Sequence, residues 1–136
     1  MSCVFEYLKS SILGVIIDGR AVRERKEECS VKKVKVTVKK ISRYDDLIKQ
    51  YENPLEHACD MQLGQTFVCN GWERPEGFCL SAWETISPFV MALAHGGENF
   101  YDGWMKDPKS AMISCNDGFR PVSFLLETLD EEDVMK

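Results

Sequence analysis

Between Val31 and Lys40 the chain alternates: Val34, Val36 and Val38 are interleaved with Lys33, Lys35, Thr37 and Lys39. Successive side chains of an extended strand point to opposite faces, so this period of two predicts a half-buried strand with its valines inward. A helix would scatter the same lysines around its circumference. The pattern therefore commits the chain to a sheet with one wet face. Lys32, Lys33, Lys35, Lys39 and Lys40 make the basic run, which a solvated outer face or a lysine-guarded sheet edge explains without invoking a nucleic acid or acidic lipid.

Other elements follow from local chemistry. Residues 42–53 read as a short helix with Leu47, Ile48 and Tyr51 on its apolar side, ended by Pro54, because the residue before proline avoids the helical region. Gly64 to Cys69 reads as a second strand, closed by Asn70-Gly71. Ser81-Ala82-Trp83-Glu84 has capping-box spacing, and Trp83, Ile86, Val90 and Leu93 recur at helical intervals up to Gly96-Gly97. The principal helix is thus expected over Ser81–Gly96, with Pro88 kinking it or restarting it from Ser87. Ala111–Cys115 and Val122–Leu129 flank Asn116-Asp117-Gly118, the signal of a C-terminal hairpin. Strand and helix do not alternate regularly, which favours an α+β domain with a small, mainly antiparallel sheet over a doubly wound one.

Residues 1–30 read differently. Gly14 and Asp18-Gly19 break any long pattern there, and 21–30 is polar without a core-forming period. Lys26-Glu27-Glu28 is also what a purine-rich ribosome-binding sequence encodes in frame, and Val31 is a residue that a GUG start would specify. We therefore expect residues 1–30 to be an N-terminal extension, either a translated leader or a genuine arm. Residues 31–130 are expected to form a single domain and 131–136 an acidic tail.

A net charge of −5 argues against nucleic acid as a partner, because phosphate binding needs clustered lysine and arginine. No run approaches the ~18 apolar residues of a membrane span. The stretch Ile12–Ile17 is short, contains Gly14 and lacks a basic leading region, so the expected compartment is the cytoplasm. In that reducing setting the six cysteines (Cys3, Cys29, Cys59, Cys69, Cys79 and Cys115) are expected to be free, metal-bound or reactive rather than disulfide-bonded.

There is no Gly-rich phosphate loop, no Gly-x-Ser-x-Gly elbow, no His-Glu-x-x-His and no Cys-x-x-Cys, and His57 and His95 are the only histidines. The cysteines remain. Cys79 precedes the principal helix, where the dipole stabilises a thiolate; Cys115 precedes the hairpin turn; Cys59 lies in His57-Ala58-Cys59 before the second strand. Cys59, Cys79 and Cys115 with His57 suit zinc or an iron–sulfur cluster, although no local ligand pair marks the site and buried cysteine often acts as a small hydrophobe. Cys69, inside a strand, is expected in the core. Asp102, Asp107, Asp117, Glu73 and Glu76 have no diagnostic spacing. Arg120 is expected to pair with a carboxylate such as Asp117 or to clamp an anion.

Two segments carry a resemblance. Pro75-Glu76-Gly77-Phe78-Cys79-Leu80-Ser81-Ala82-Trp83, with Gly96-Gly97 beyond it, and Cys115-Asn116-Asp117-Gly118-Phe119-Arg120-Pro121-Val122 resemble a family of small uncharacterised prokaryotic proteins, frequent in anaerobes. The resemblance runs from about Lys32 to about Leu129. It extends to Cys59, Cys79 and Cys115, implies that these matter, and brings no reaction with it. Members often carry a second cysteine beside the one at Cys115, where this chain has Asn116. Three functions stand as expectations: a cysteine-based zinc or iron–sulfur accessory protein; an oligomeric interaction module with structural cysteines and the loop from Phe100 to Trp104 as its surface; and a small enzyme with Cys79 as nucleophile and Arg120 as anion clamp.

Overall fold

A computed structural model of the chain describes residues 16–17, 20–21 and 30–130. The chain divides into two units, Met1–Ser30 and Val31–Lys136. In the first, β1 (Ile16–Ile17) pairs antiparallel with β2 (Arg20–Ala21). The remaining expectations for residues 1–30 and for the acidic tail lie outside the described residues.

The second unit contains β3 (Val34–Ile41), α1 (Asp45–Tyr51), β4 (Thr66–Cys69), α2 (Leu80–Ala94), β5 (Ser110–Ser114) and β6 (Val122–Thr128). Its four strands form one sheet in the order β4-β3-β6-β5, every neighbouring pair antiparallel. This is the α+β architecture expected, with one principal helix and a C-terminal hairpin. The valines of β3 face inward with Phe124 and Leu126 of β6, all essentially without solvent contact. Across the sheet, Ala82, Trp83, Ile86, Val90 and Leu93 bring one side of α2 into the same core. Fully burying an aliphatic or aromatic side chain is worth about 1.5–3 kcal/mol, so this layer of α2 on the sheet supplies the main driving force for the fold.

β3 is a central strand, so its lysines line a solvated outer face and do not guard an edge. There Lys35 stands directly opposite Glu127, with Nζ and Oε2 3.6 Å apart. A register shift between Val38 and Lys40 marks a bulge, after which Lys39, Lys40 and Ile41 are exposed.

Several details differ from expectation, beginning with β4, which starts at Thr66 rather than Gly64. α1 is shorter than 42–53 and buries none of its residues; Leu47 and Tyr51 are exposed rather than packed. α2 begins one residue early: Cys79 is its N-cap, Ser81 is already helical, and the capping box does not form. Pro88 neither breaks nor restarts α2, which runs on to Ala94. The helix then ends as Gly96-Gly97 requires. The Gly96 N–H reaches Leu93 O at 3.1 Å and the Gly97 N–H reaches Ala92 O at 2.7 Å, with Gly96 at φ +86. This pair of hydrogen bonds satisfies two carbonyls that the helix would otherwise leave orphaned.

Arg120 is tied down by a residue that its sequence neighbourhood does not reveal. Its Nη1 and Nη2 donate to Glu52 Oε1 and Oε2 at 2.7 and 2.8 Å, and both side chains are only 15% exposed. Asp117 instead accepts the Phe119 and Arg120 N–H groups at 2.7 and 3.0 Å, shaping the turn. Of the two expectations for Arg120, the structure shows the carboxylate pair, with Glu52 in place of Asp117, and it fastens the end of α1 to the hairpin. The Arg120 hydrogen bonds hold the Glu52 carboxyl below its ordinary 4.5. A lowered folded-state value means that the stabilisation is complete above the ordinary carboxylate range and is lost as pH falls through the folded value. Urea titrations below pH 5 should therefore show a shallower acid loss of stability for Glu52→Gln than for the unsubstituted chain.

Candidate thiol site

The segment between β4 and α2 is built to place one sulfur. Asn70 Oδ1 accepts the Trp72 and Glu73 N–H groups at 3.2 and 3.0 Å, turning the chain. At Pro75–Phe78 a second turn closes with Phe78 N–H on Pro75 O at 3.1 Å, and Gly77 at φ +76 takes the left-handed position that a type II turn reserves for glycine. Arg74 then donates Nη1 to the Phe78 carbonyl. Phe78 is driven into the core against Phe67, Phe124 and Trp83, with ring centroids 4.8, 5.3 and 6.0 Å away. The next residue is Cys79, held half-buried at the start of α2 with φ −59 and ψ 128.

Helix starts leave N–H groups without partners, and Cys79 stands at this N-cap beside them without making a side-chain cap hydrogen bond. The Ala82 amide is the largest influence holding the Cys79 thiol below its ordinary 9.0; partial burial opposes it, and the Ser81 hydroxyl and amide and the Cys59 thiol add to the lowering. The Ser81 hydroxyl lies 3.6 Å from the sulfur. Ser81 thus supports the cysteine in front of it instead of capping the helix.

Cys59 comes from the segment between α1 and β4 and is exposed. Two residues on, Met61 is buried in the core and anchors the segment. The Cys59 thiol is pushed above 9.0, first by partial desolvation, then by negative charge on Cys79 and Cys115 and by its hydrogen bond to Cys79; the Met61 amide acts against this. Ionisation is therefore favoured at Cys79 and disfavoured at Cys59. Cys115 sits just beyond β5, its N–H on Val122 O at 2.9 Å and its sulfur accepting the Val122 N–H at 3.3 Å. Cys79 and Cys115 both rest against the core.

Cys59 is thus near enough to Cys79 and Cys115 for their charge to bear on its ionisation, although 20 and 36 positions separate Cys59 from Cys79 and Cys79 from Cys115. His57 does not join them. Its Nε2 lies 2.9 Å from Asp60 Oδ1, with both side chains largely in solvent. Among the described residues no group of three or more His, Cys, Asp and Glu side chains is placed to hold a metal ion. The four-residue set of Cys59, Cys79, Cys115 and His57 is therefore not preformed: the imidazole is turned outward to a carboxylate, and the three cysteines alone do not make a metal-holding group either. Cys69 is core, as expected, and burial raises its thiol to about 11.

The aromatic loop lies elsewhere. Phe100 packs on Phe89 with centroids 5.5 Å apart, while Tyr101 and Trp104 form an exposed edge-to-face pair at 5.3 Å. Asn99, Tyr101 and Asp102 all have positive φ, an uncommon run for residues with side chains. No helix among the described residues is long and apolar enough to cross a membrane. No family model, curated protein or solved structure matches the chain.

Proposed function

We propose that the chain is a dithiol–disulfide redox protein, with Cys79 as attacking thiolate and Cys59 as the thiol that resolves the mixed disulfide. The observation that carries this reading is the place of Cys79 at the N-cap of α2, its sulfur 3.6 Å from the Ser81 hydroxyl and its thiol held below the ordinary value, with Cys59 near enough to add to that lowering. The asymmetry supports the division of roles, since the thiolate is the nucleophile and a lowered pKa keeps it populated near neutrality. With an external disulfide, the Cys79 thiolate attacks one sulfur and forms a mixed disulfide, releasing the other half as a thiolate that takes a proton from water. Cys59 then loses its proton, attacks the Cys79 sulfur and expels the second half. Two electrons have passed from the cysteine pair, and the external disulfide has become two thiols.

The test uses the full chain with Cys3→Ser and Cys29→Ser, reduced and then exposed to glutathione disulfide near neutral pH. Peptide mass spectrometry should find Cys59–Cys79 as the first internal disulfide. Cys59→Ser should instead accumulate glutathione on Cys79. Modification of Cys79 no faster than that of buried Cys69 would overturn the reading.

A second reading keeps Cys59, Cys79 and Cys115 as ligands of zinc or an iron–sulfur cluster; since no metal-holding group of three is preformed among the described residues, the three sulfurs would have to gather around the ion on binding. Metal and acid-labile sulfide analysis on anaerobically purified protein tests it. Near-stoichiometric metal lost on Cys79→Ser or Cys115→Ser would support that reading, and metal-free protein that still forms Cys59–Cys79 would reject it.

A further inference from the structure

We infer that the outward face of α2 is a dimer interface, on which a second copy of this chain packs its own α2 antiparallel about a two-fold axis. The inference is independent of the thiol chemistry.

α2 is unusual for a helix that covers one face of a sheet. Trp83, Ile86, Val90 and Leu93 turn one side into the core, and Leu80, Ser81, Glu84, Pro88, Met91 and His95 are exposed on the other. A solvated helix face ordinarily carries several charges. Within the 15 residues of α2 the sole charged side chain is Glu84. Large apolar groups stand in the open instead, with Leu80 59% and Met91 49% exposed.

The spacing of the exposed stripe specifies what covers it. Glu84, Pro88, Met91 and His95 follow at steps of four, three and four, the interval at which one helix packs along another. The stripe is also symmetric about its middle. When two copies run antiparallel, Pro88 meets the partner's Met91 and Glu84 meets the partner's His95, each contact occurring twice. Both polar groups are available. Among the described residues Glu84 enters no salt bridge. His95 holds its Nδ1 2.7 Å from Met91 O. A carbonyl only accepts, so Nδ1 donates, and the Nε2 N–H of an imidazolium is left for the partner's carboxylate. The C-terminal end of a helix favours that positive charge. The same register carries Leu80 to the end of the partner's α2, where the loop of Tyr101 and Trp104 follows, so exposed apolar surface extends past both ends of the seam. An unrelated partner would need to supply this complement, whereas a second copy already carries it.

The experiment is sedimentation velocity on the full chain near pH 6, with excess reductant so that no intermolecular disulfide contributes. Expected is a reversible dimer. Glu84→Lys and His95→Glu each set like charges across the axis twice, and each alone should raise the dissociation constant about tenfold or more. Mixed in equal amounts, the two variants should associate again, because each copy then supplies the charge that the other lacks. Met91→Asp should weaken the dimer by about tenfold or more without touching either charge. A monomeric unsubstituted chain would overturn the inference. So would a dimer that these substitutions leave intact, or two weakened charge variants that stay apart when mixed. Circular dichroism checks that the variants fold; should a charge variant not fold, the unsubstituted chain and Met91→Asp decide the matter.

Discussion

Phe78→Ala should lower the unfolding free energy by about 3–5 kcal/mol, the usual consequence of emptying a buried aromatic site. Phe78 is 1% exposed and touches rings contributed by β4, α2 and β6, so no single element can relax to fill the space. A loss of that size is a large share of the 5–15 kcal/mol typical of a folded domain. Urea denaturation followed by tryptophan fluorescence measures it, with an unchanged slope confirming that the native state is still compact. Because Phe78 also sets the start of α2, the folded fraction of the variant should alkylate Cys79 more slowly at pH 8. A loss below about 1 kcal/mol would mean that the cluster around Phe78 is far looser than its ring contacts imply.

Gly71→Ala is expected to cost about 2–4 kcal/mol, from two sources that act together. Gly71 has φ +103, a region that side chains rarely adopt, and a Cβ there would lie 2.7 Å from the Cβ of Ala94. Neither atom is the flexible end of a long side chain. Relief requires the turn after β4 to move away from the end of α2, where the Lys32 N–H also takes the Ala94 carbonyl at 2.8 Å. Gly103→Ala is a useful control, because its φ is +92 and its Cβ would meet nothing within 4 Å. The difference between the two variants in urea denaturation isolates the overlap with Ala94 from the backbone strain, and equal losses would contradict the close approach.

What was legible in the sequence was whatever a short window determines. The valine–lysine alternation specified β3 because a strand reports its burial every second residue. Trp83, Ile86, Val90 and Leu93 specified α2 for the same reason at a different period, and all four are buried. The hairpin of β5 and β6 was readable from its turn. The start of α2 was misplaced because Ser81 is the conventional capping residue, whereas Cys79 takes the position after the Pro75–Phe78 turn has aimed the backbone. α1 was over-extended because its apolar residues looked like a core face but find no core to enter. Nothing local could pair Arg120 with Glu52, 68 residues away, or show that His57 would turn to Asp60. The three cysteines could be chosen by their places at element boundaries, but their roles depend on which amides surround each sulfur, and only the folded chain sets those.

The sheet order also constrains how the molecule comes into being. β3, the first in the chain of the four strands of its sheet, has as its two neighbours β4 and the last strand, β6; the β3–β6 register joins Val34 to Thr128. During synthesis from the N-terminus, β3 and α2 exist long before the strand that covers half of their common core. One edge of β3 must wait unpaired until β6 has been made, and pairings over so great a sequence distance close slowly. Until then the emerging chain carries an unpaired strand edge, a surface open to wrong partners. The lysines on the opposite face of β3 keep that waiting segment hydrated and mutually repelling, so the alternation that defines the finished sheet also protects the unfinished one.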